Sequence, residues 1–154
     1  MIIALGEKVF GALLVTGKTG DGRIEDGEGG EIDLRLLLEV INKRITHLLH
    51  RDQTIGHAYL MHVRDFATLR RVLSREIIPL LQEYFYEDWK RIRLVLADHT
   101  VPSEHQLVRS TVLTAQDLFF GGEDGGLTEA IHYVVAPEAE ITPEAVRKIY
   151  EESE

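Results

Sequence analysis

Three groups of residues in this chain are of types that can do chemistry. The first is Gly17-Lys18-Thr19. A phosphate-binding loop reads G-x-x-x-x-G-K-[ST] between a strand and a helix, so that backbone N–H groups and the helix N-terminus hold the phosphates while the lysine reaches them. Here Ala12 stands five residues before Gly17, where glycine is required, and Gly11 is one place too early. The residues after Thr19 read GDGRIEDGEGG and will not start a helix. No apolar strand ends in paired acids, so nothing supplies a magnesium site. The second group is His47, His50, His57 and His62, four imidazoles within sixteen residues. Imidazole is the commonest protein metal ligand, but no pair has the i,i+4 spacing that puts two ligands on one helix face. His47 lies beside an apolar stripe, near a helix C-terminus that favours a cation. The expectation is no metal. A histidine-cluster metal protein is the alternative, and retention of zinc or nickel through dialysis would distinguish it. The third group is acidic and glycine-rich: DGRIEDGEGGE and GGEDGG. A calcium-binding EF-hand loop needs acids at alternating positions and a glutamate at the twelfth, and neither stretch complies.

Nucleophilic chemistry has even less to work with. There is no cysteine, which also excludes disulfides and thiolate metal sites, and no G-x-S-x-G elbow. Glu87 and Asp88 sit where a helix turns and read as solvated acids. The chain is expected not to be an enzyme by itself and to carry no cofactor of its own.

The elements that must position these residues follow from periodicity. Residues 1–16 contain VFGALLV, which reads as a strand. Residues 17–31 hold six glycines and five acids and read as a loop. The domain division is therefore 1–31, a strand-like segment with a partly flexible acidic loop, and 32–154, a helical domain with a small β element. Asp33 is a good N-cap. After it Leu34, Leu37, Leu38, Ile41, Ile45, Leu48 and Leu49 fall at helical spacing, ending near His50, with Glu39, Asn42, Lys43 and Thr46 on the other side. Gly56 breaks the pattern as a turn or a close backbone approach, and a short helix begins at His57. Asp65 caps FATLRRVLS. Pro79 falls inside IIPLLQEYF, either in the first turn of a helix from near Ile77 or as a kink in a longer one. WKRIRLVL closes the group with Trp89, Ile92, Val95 and Leu96 inward. LVRSTVL and IHYVVAP are strands that can pair antiparallel, and Thr142 with Pro143 opens a final helix. The fold class is mainly α (α+β): a helical bundle of about four to five helices with a small antiparallel β-hairpin and a C-terminal helix.

Composition bounds the partners. The 154 residues carry a net charge of −9, which disfavours broad nucleic-acid binding. Arg64, Arg70, Arg71 and Arg75 form a local basic group, read as a solvated face paired with Asp65 and Glu76. No apolar run approaches the roughly 20 residues that span a bilayer, and no basic n-region marks a signal peptide. A cytoplasmic location is the default.

One stretch carries a resemblance. INKRITHLLHRDQTIGHAYL (41–60) and IIPLLQEYFYEDWKRIRLVLAD (77–98) resemble the C-terminal lid region of McrB-type AAA+ proteins, the nucleotide-driven motors of modification-dependent restriction systems. That family shows N-x-R-I, then an I-G-H-S-Y-F-like turn, then I-I-P-L-L-Q-E-Y-F. Here these are Asn42, Arg44 and Ile45; Ile55 to Leu60, with Ala58 and Leu60 departing from the Ser and Phe; and Ile77 to Phe85. Pro143, Glu144 and Ala145 match the family's closing helix, so the resemblance spans 32–150. It implies a non-catalytic helical lid without the ATPase core, whose nucleotide, GTP or ATP with magnesium, is held elsewhere. It places Gly56 and His57 nearest that nucleotide. The implied partners are an AAA+ core or neighbouring motor subunit, a McrC-type nuclease subunit, or a second copy of the chain. The alternative is a stand-alone protein-interaction module of a defence system, with an exposed apolar patch as its surface.

Overall fold

Residues 22–50, 53–119 and 130–152 are described by the structure, a computed structural model. The strand expected in residues 1–16, Gly17-Lys18-Thr19 and the stretch 121–126 lie outside the described residues. The first helix forms as its sequence dictates. Asp33 has extended backbone, and its carboxylate accepts from the Leu36 N–H at 3.0 Å, opening α1 (Leu34–Leu49). His50 ends the helix in the left-handed conformation at φ 54, its N–H donating to the Thr46 carbonyl. Leu34, Leu37, Leu38, Ile41 and Ile45 are buried and Leu48 and Leu49 partly so. Each fully buried aliphatic side chain stabilises by about 1.5–3 kcal/mol, so this stripe anchors the core. On the far side Lys43 and Glu39 pair at 2.7 Å.

The next helices form one rod. Asp65 accepts from the Thr68 N–H at 2.7 Å and opens α2 (Phe66–Val72). A single π turn, Leu73–Ile77, leads directly into α3 (Ile78–Tyr84). The Ile78 N–H reaches back to the Leu73 carbonyl, five residues away. That wider turn gives the Pro79 ring room against the carbonyl one turn back. Pro79 thus lies in the first turn of α3, the first of the two expectations, and the π turn carries the helix on into it. Tyr86 and Glu87 then take left-handed backbone at φ 50 and 61, held by a Glu87 N–H bond to the Gln82 carbonyl at 2.9 Å. Asp88 is not merely a solvated acid. Its carboxylate accepts from the Arg91 N–H at 3.3 Å and caps α4 (Trp89–Val95), which buries Ile92 and Val95, with Leu96 just beyond.

Residues 22–31 differ from the loop expected of their composition. β1 (Arg23–Glu25) pairs antiparallel with β2 (Glu31–Asp33), and Ile24 opposite Ile32 puts two buried side chains into the core. Two β-branched residues outweigh the glycines because their burial fixes the register. The Asp26 carboxylate accepts from the Glu28 and Gly30 N–H groups at 2.7 and 2.9 Å and pairs with Arg147. A Cβ on Gly30 would meet Asp26 Oδ2 at 2.5 Å, so a side chain here would have to push the Asp26–Arg147 pair aside. Asp26 is thus committed to internal bonds and not arranged as a calcium ligand.

The expected second hairpin is present. β3 (Val108–Leu113) pairs antiparallel with β4 (Ala130–Val135), in register from Val108↔Val135 to Leu113↔Ala130. Tyr133 stacks on Trp89 of α4, ring centroids 6.0 Å apart. A short helix, α5 (Ala115–Phe119), follows β3 where a turn-rich connection was expected. α6 (Pro143–Arg147) is capped by Thr142, whose hydroxyl accepts from the Ala145 N–H at 3.1 Å. Arg75 pairs with Glu138 at 3.1 Å, and Arg70 lies 4.6 Å over the Phe66 ring while donating to the Ile141 carbonyl. The basic face therefore ties α2 and the π turn to the tail, rather than pairing Arg75 with Glu76. No helix among the described residues is long and apolar enough to cross a membrane.

One polar node joins these parts. Asp98, fully buried, accepts from the Leu107 and Val108 N–H groups, both at 2.8 Å, and from Lys148 Nζ at 2.9 Å. Lys148 also donates to the Ala145 carbonyl at 2.7 Å. Burial holds the Lys148 ammonium below its usual pKa and Asp98 opposes that shift. Removing one charge strands the other away from water, at a cost of about 3–5 kcal/mol. Asp98→Asn or Lys148→Met should each lower unfolding stability by that order in urea. The Asp98→Asn/Lys148→Met double variant should recover part of the loss, since no unpaired charge remains.

Candidate functional site

The turn at Thr54–Tyr59 is where the resemblance places Gly56 and His57, and the structure shows what holds it. Asn42, read from periodicity as lying on the solvent side of α1, is half-buried. Its side-chain amide donates to the Ile55 carbonyl at 3.0 Å, and its side-chain oxygen accepts from the Ile55 N–H at 2.6 Å. Both backbone groups of one residue are thus held by one side chain. From the other side the Tyr84 hydroxyl, at the end of α3, donates to the Thr54 carbonyl at 3.0 Å. Burial pushes the Tyr84 hydroxyl above its usual pKa, helped by Tyr59 and Glu83 nearby, so it remains a donor. Ile55 and Leu60 are buried at the two ends of the turn.

Between those two pins the chain faces outward. Gly56 is exposed, His57 half-exposed and Ala58 exposed. His57–Tyr59 form one 3-10 turn, closed by the Leu60 N–H to the His57 carbonyl at 3.0 Å. Gly56 has φ −69 and ψ 150, which any residue adopts, and a Cβ there would meet nothing within 4 Å. Gly56 opens the turn expected here, the Tyr59 N–H donating to its carbonyl at 3.4 Å, but neither its conformation nor the space within the fold demands glycine. Tyr59 packs against the core and Leu60 belongs to it.

The other motif residues have structural roles. Arg44 Nη1 donates to the Val95 carbonyl at 2.8 Å, closing the C-terminal end of α4. His47 and His50 lie with ring centroids 6.2 Å apart. Among the described residues no group of three or more His, Asp or Glu side chains is placed to share a metal ion. The clamp by Asn42 and Tyr84 was missed by periodicity, because a helical stripe records apolar positions and says nothing of a polar residue at the stripe's edge that reaches a distant backbone. A signal existed in the strings themselves: Asn42 and Tyr84 both stand inside the segments that resemble the family.

The segment 33–93 matches the family model described as McrB, alpha-helical lid domain. No curated protein and no solved structure gives a significant match to the chain.

Two outcomes check the turn. Asn42→Ala leaves the Ile55 amide and carbonyl without partners, a loss of about 1–3 kcal/mol, and should speed hydrogen exchange at Ile55. Gly56→Ala should keep or raise stability by about 0.4–1 kcal/mol, because alanine narrows the unfolded ensemble at a compatible backbone position. A drop in melting temperature would show that the fold does need this glycine.

Proposed function

We propose that this chain, a McrB-type helical lid over residues 33–93, acts without catalytic chemistry of its own and packs against a nucleotide site supplied by another domain or chain. The observation that supports this reading is the double clamp. Three hydrogen bonds from α1 and α3 fix Thr54 and Ile55, while the next residues, Gly56, His57 and Ala58, project outward. A rigidly held turn with a glycine its own fold does not need suits close approach by an outside group. His57 is the side chain that would meet a phosphate or base, with GTP or ATP and magnesium bound mainly by a motor core. The partners of this reading are an AAA+ core, a neighbouring motor subunit or a McrC-type nuclease subunit, in the cytoplasm.

A second reading, an interaction module, has one observation in its favour. Val112 and Ile131 face one another across the second hairpin and both are about half exposed, as are Leu118 and Phe119 of α5.

Calorimetric titration of the chain with GTP and with ATP, each with magnesium, should give no binding heat. Micromolar binding would overturn the reading that the nucleotide site lies elsewhere. Added to a McrB-type ATPase core lacking its own lid, the chain should tighten nucleotide binding by about tenfold, roughly 1.4 kcal/mol, and His57→Ala should remove most of that gain. No gain with a folded chain would leave the interaction module as the better account.

A further inference from the structure

A second feature of this surface lies apart from the turn. α1 and the end of α4 enclose an open groove of about 300 Å³ lined by Lys43, Arg44, His47, Leu48 and Leu94. Among the described residues no carboxylate lines it, although the chain as a whole carries a net charge of −9. Its floor is apolar, with Leu48 partly buried and Leu94 still 43% exposed. The central cation is Arg44. One nitrogen of its guanidinium bonds the Val95 carbonyl. Among the described residues its Nε and Nη2 have no partner, and neither is sealed from solvent. Desolvation lowers the Arg44 pKa, so its charge is held partly out of water, near enough to the Asp98–Lys148 pair for Lys148 to feel it. Lys43 adds a second positive charge, with one bond to the exposed Glu39, and His47 stands one turn on.

A planar guanidinium with two free nitrogens matches the two oxygens of a carboxylate, and the bond is charge-assisted. Removal of the cation from bulk water strengthens that pairing. The leucines beside it offer apolar contact to whatever carries the carboxylate, which a free inorganic anion cannot use. We propose that the α1–α4 groove is a docking site for a segment of a partner protein that presents an acidic side chain next to an apolar one, the carboxylate on Arg44 and the apolar side chain on Leu94. This goes beyond the lid reading, because the groove uses none of the residues of the Gly56–His57 turn.

The test is a two-dimensional NMR titration of the full chain with an acetylated hexapeptide of alternating glutamate and leucine. Controls are the same peptide with glutamine for glutamate, and sodium phosphate. Saturable shifts at the Arg44 Nε–H, His47 and Leu94 signals are expected with the acidic peptide, at least tenfold weaker with the glutamine peptide, and weakened by salt. Leu94→Glu, a change at an exposed position, should abolish them while leaving the remaining spectrum folded. Arg44→Lys, which can still reach the Val95 carbonyl, should weaken binding several-fold. Equal shifts from both peptides, equal shifts from phosphate alone, no shifts at all, or unchanged binding in folded Leu94→Glu would each overturn the proposal.

Discussion

The structure depends on one constraint above the others: two charges are buried together and must stay together. Asp98 is taken out of water with Lys148 as its counter-ion, and both carboxylate oxygens are further bound to backbone N–H groups at the start of β3. Desolvating a lone charge costs several kcal/mol. The end of α4, the hairpin and α6 therefore have to arrive at the same place for any of them to be stable. The apolar core supplies the larger stabilisation, but it is tolerant of small shifts. The ion pair is not, because its hydrogen bonds are directional. In this way a tail that follows the matched lid segment, residues 33–93, becomes part of the same unit.

A similar logic operates at the Thr54–Tyr59 turn. Backbone groups outside regular structure need partners. Here the Thr54 carbonyl and both backbone groups of Ile55 are satisfied by two side chains from different helices. The turn's position therefore reports the relative placement of α1 and α3, and a movement of one helix would be felt at His57. Such rigidity spares the turn the cost of being ordered when anything docks against it, which a loosely held loop would incur. The same helix α1 serves three surfaces: its stripe faces the core, Asn42 faces the turn, and Lys43 with Arg44 faces the groove toward Leu94.

Sequence alone determined most of the helical elements and three of their N-caps. Asp33, Asp65 and Thr142 were readable as N-caps because a short oxygen-bearing side chain before a periodic stripe has a local task, completed within three residues. The stripe of α1 and the pairing of the two late strands were readable for the same reason: period 3.6 and period 2 are properties of the nearby chain. The lid resemblance was legible too, as ordered strings of residues.

Tertiary structure alone decided the long-range polar bonds and the balance of weak local signals. Nothing near Asp98 in sequence announces Lys148, 50 residues on, and nothing near Asn42 announces Ile55. The first hairpin formed where glycine and acid content argued for a loop, because Ile24 and Ile32 find a core to enter. Pro79 was absorbed by one widened turn and did not end its helix. Gly56 proved free of any demand from its own fold, a fact visible only once its φ angle and empty surroundings were known. Local propensity is set by neighbours along the chain. The cost of burying a charge, a carbonyl or an isoleucine is set by neighbours in space, and those exist only after folding.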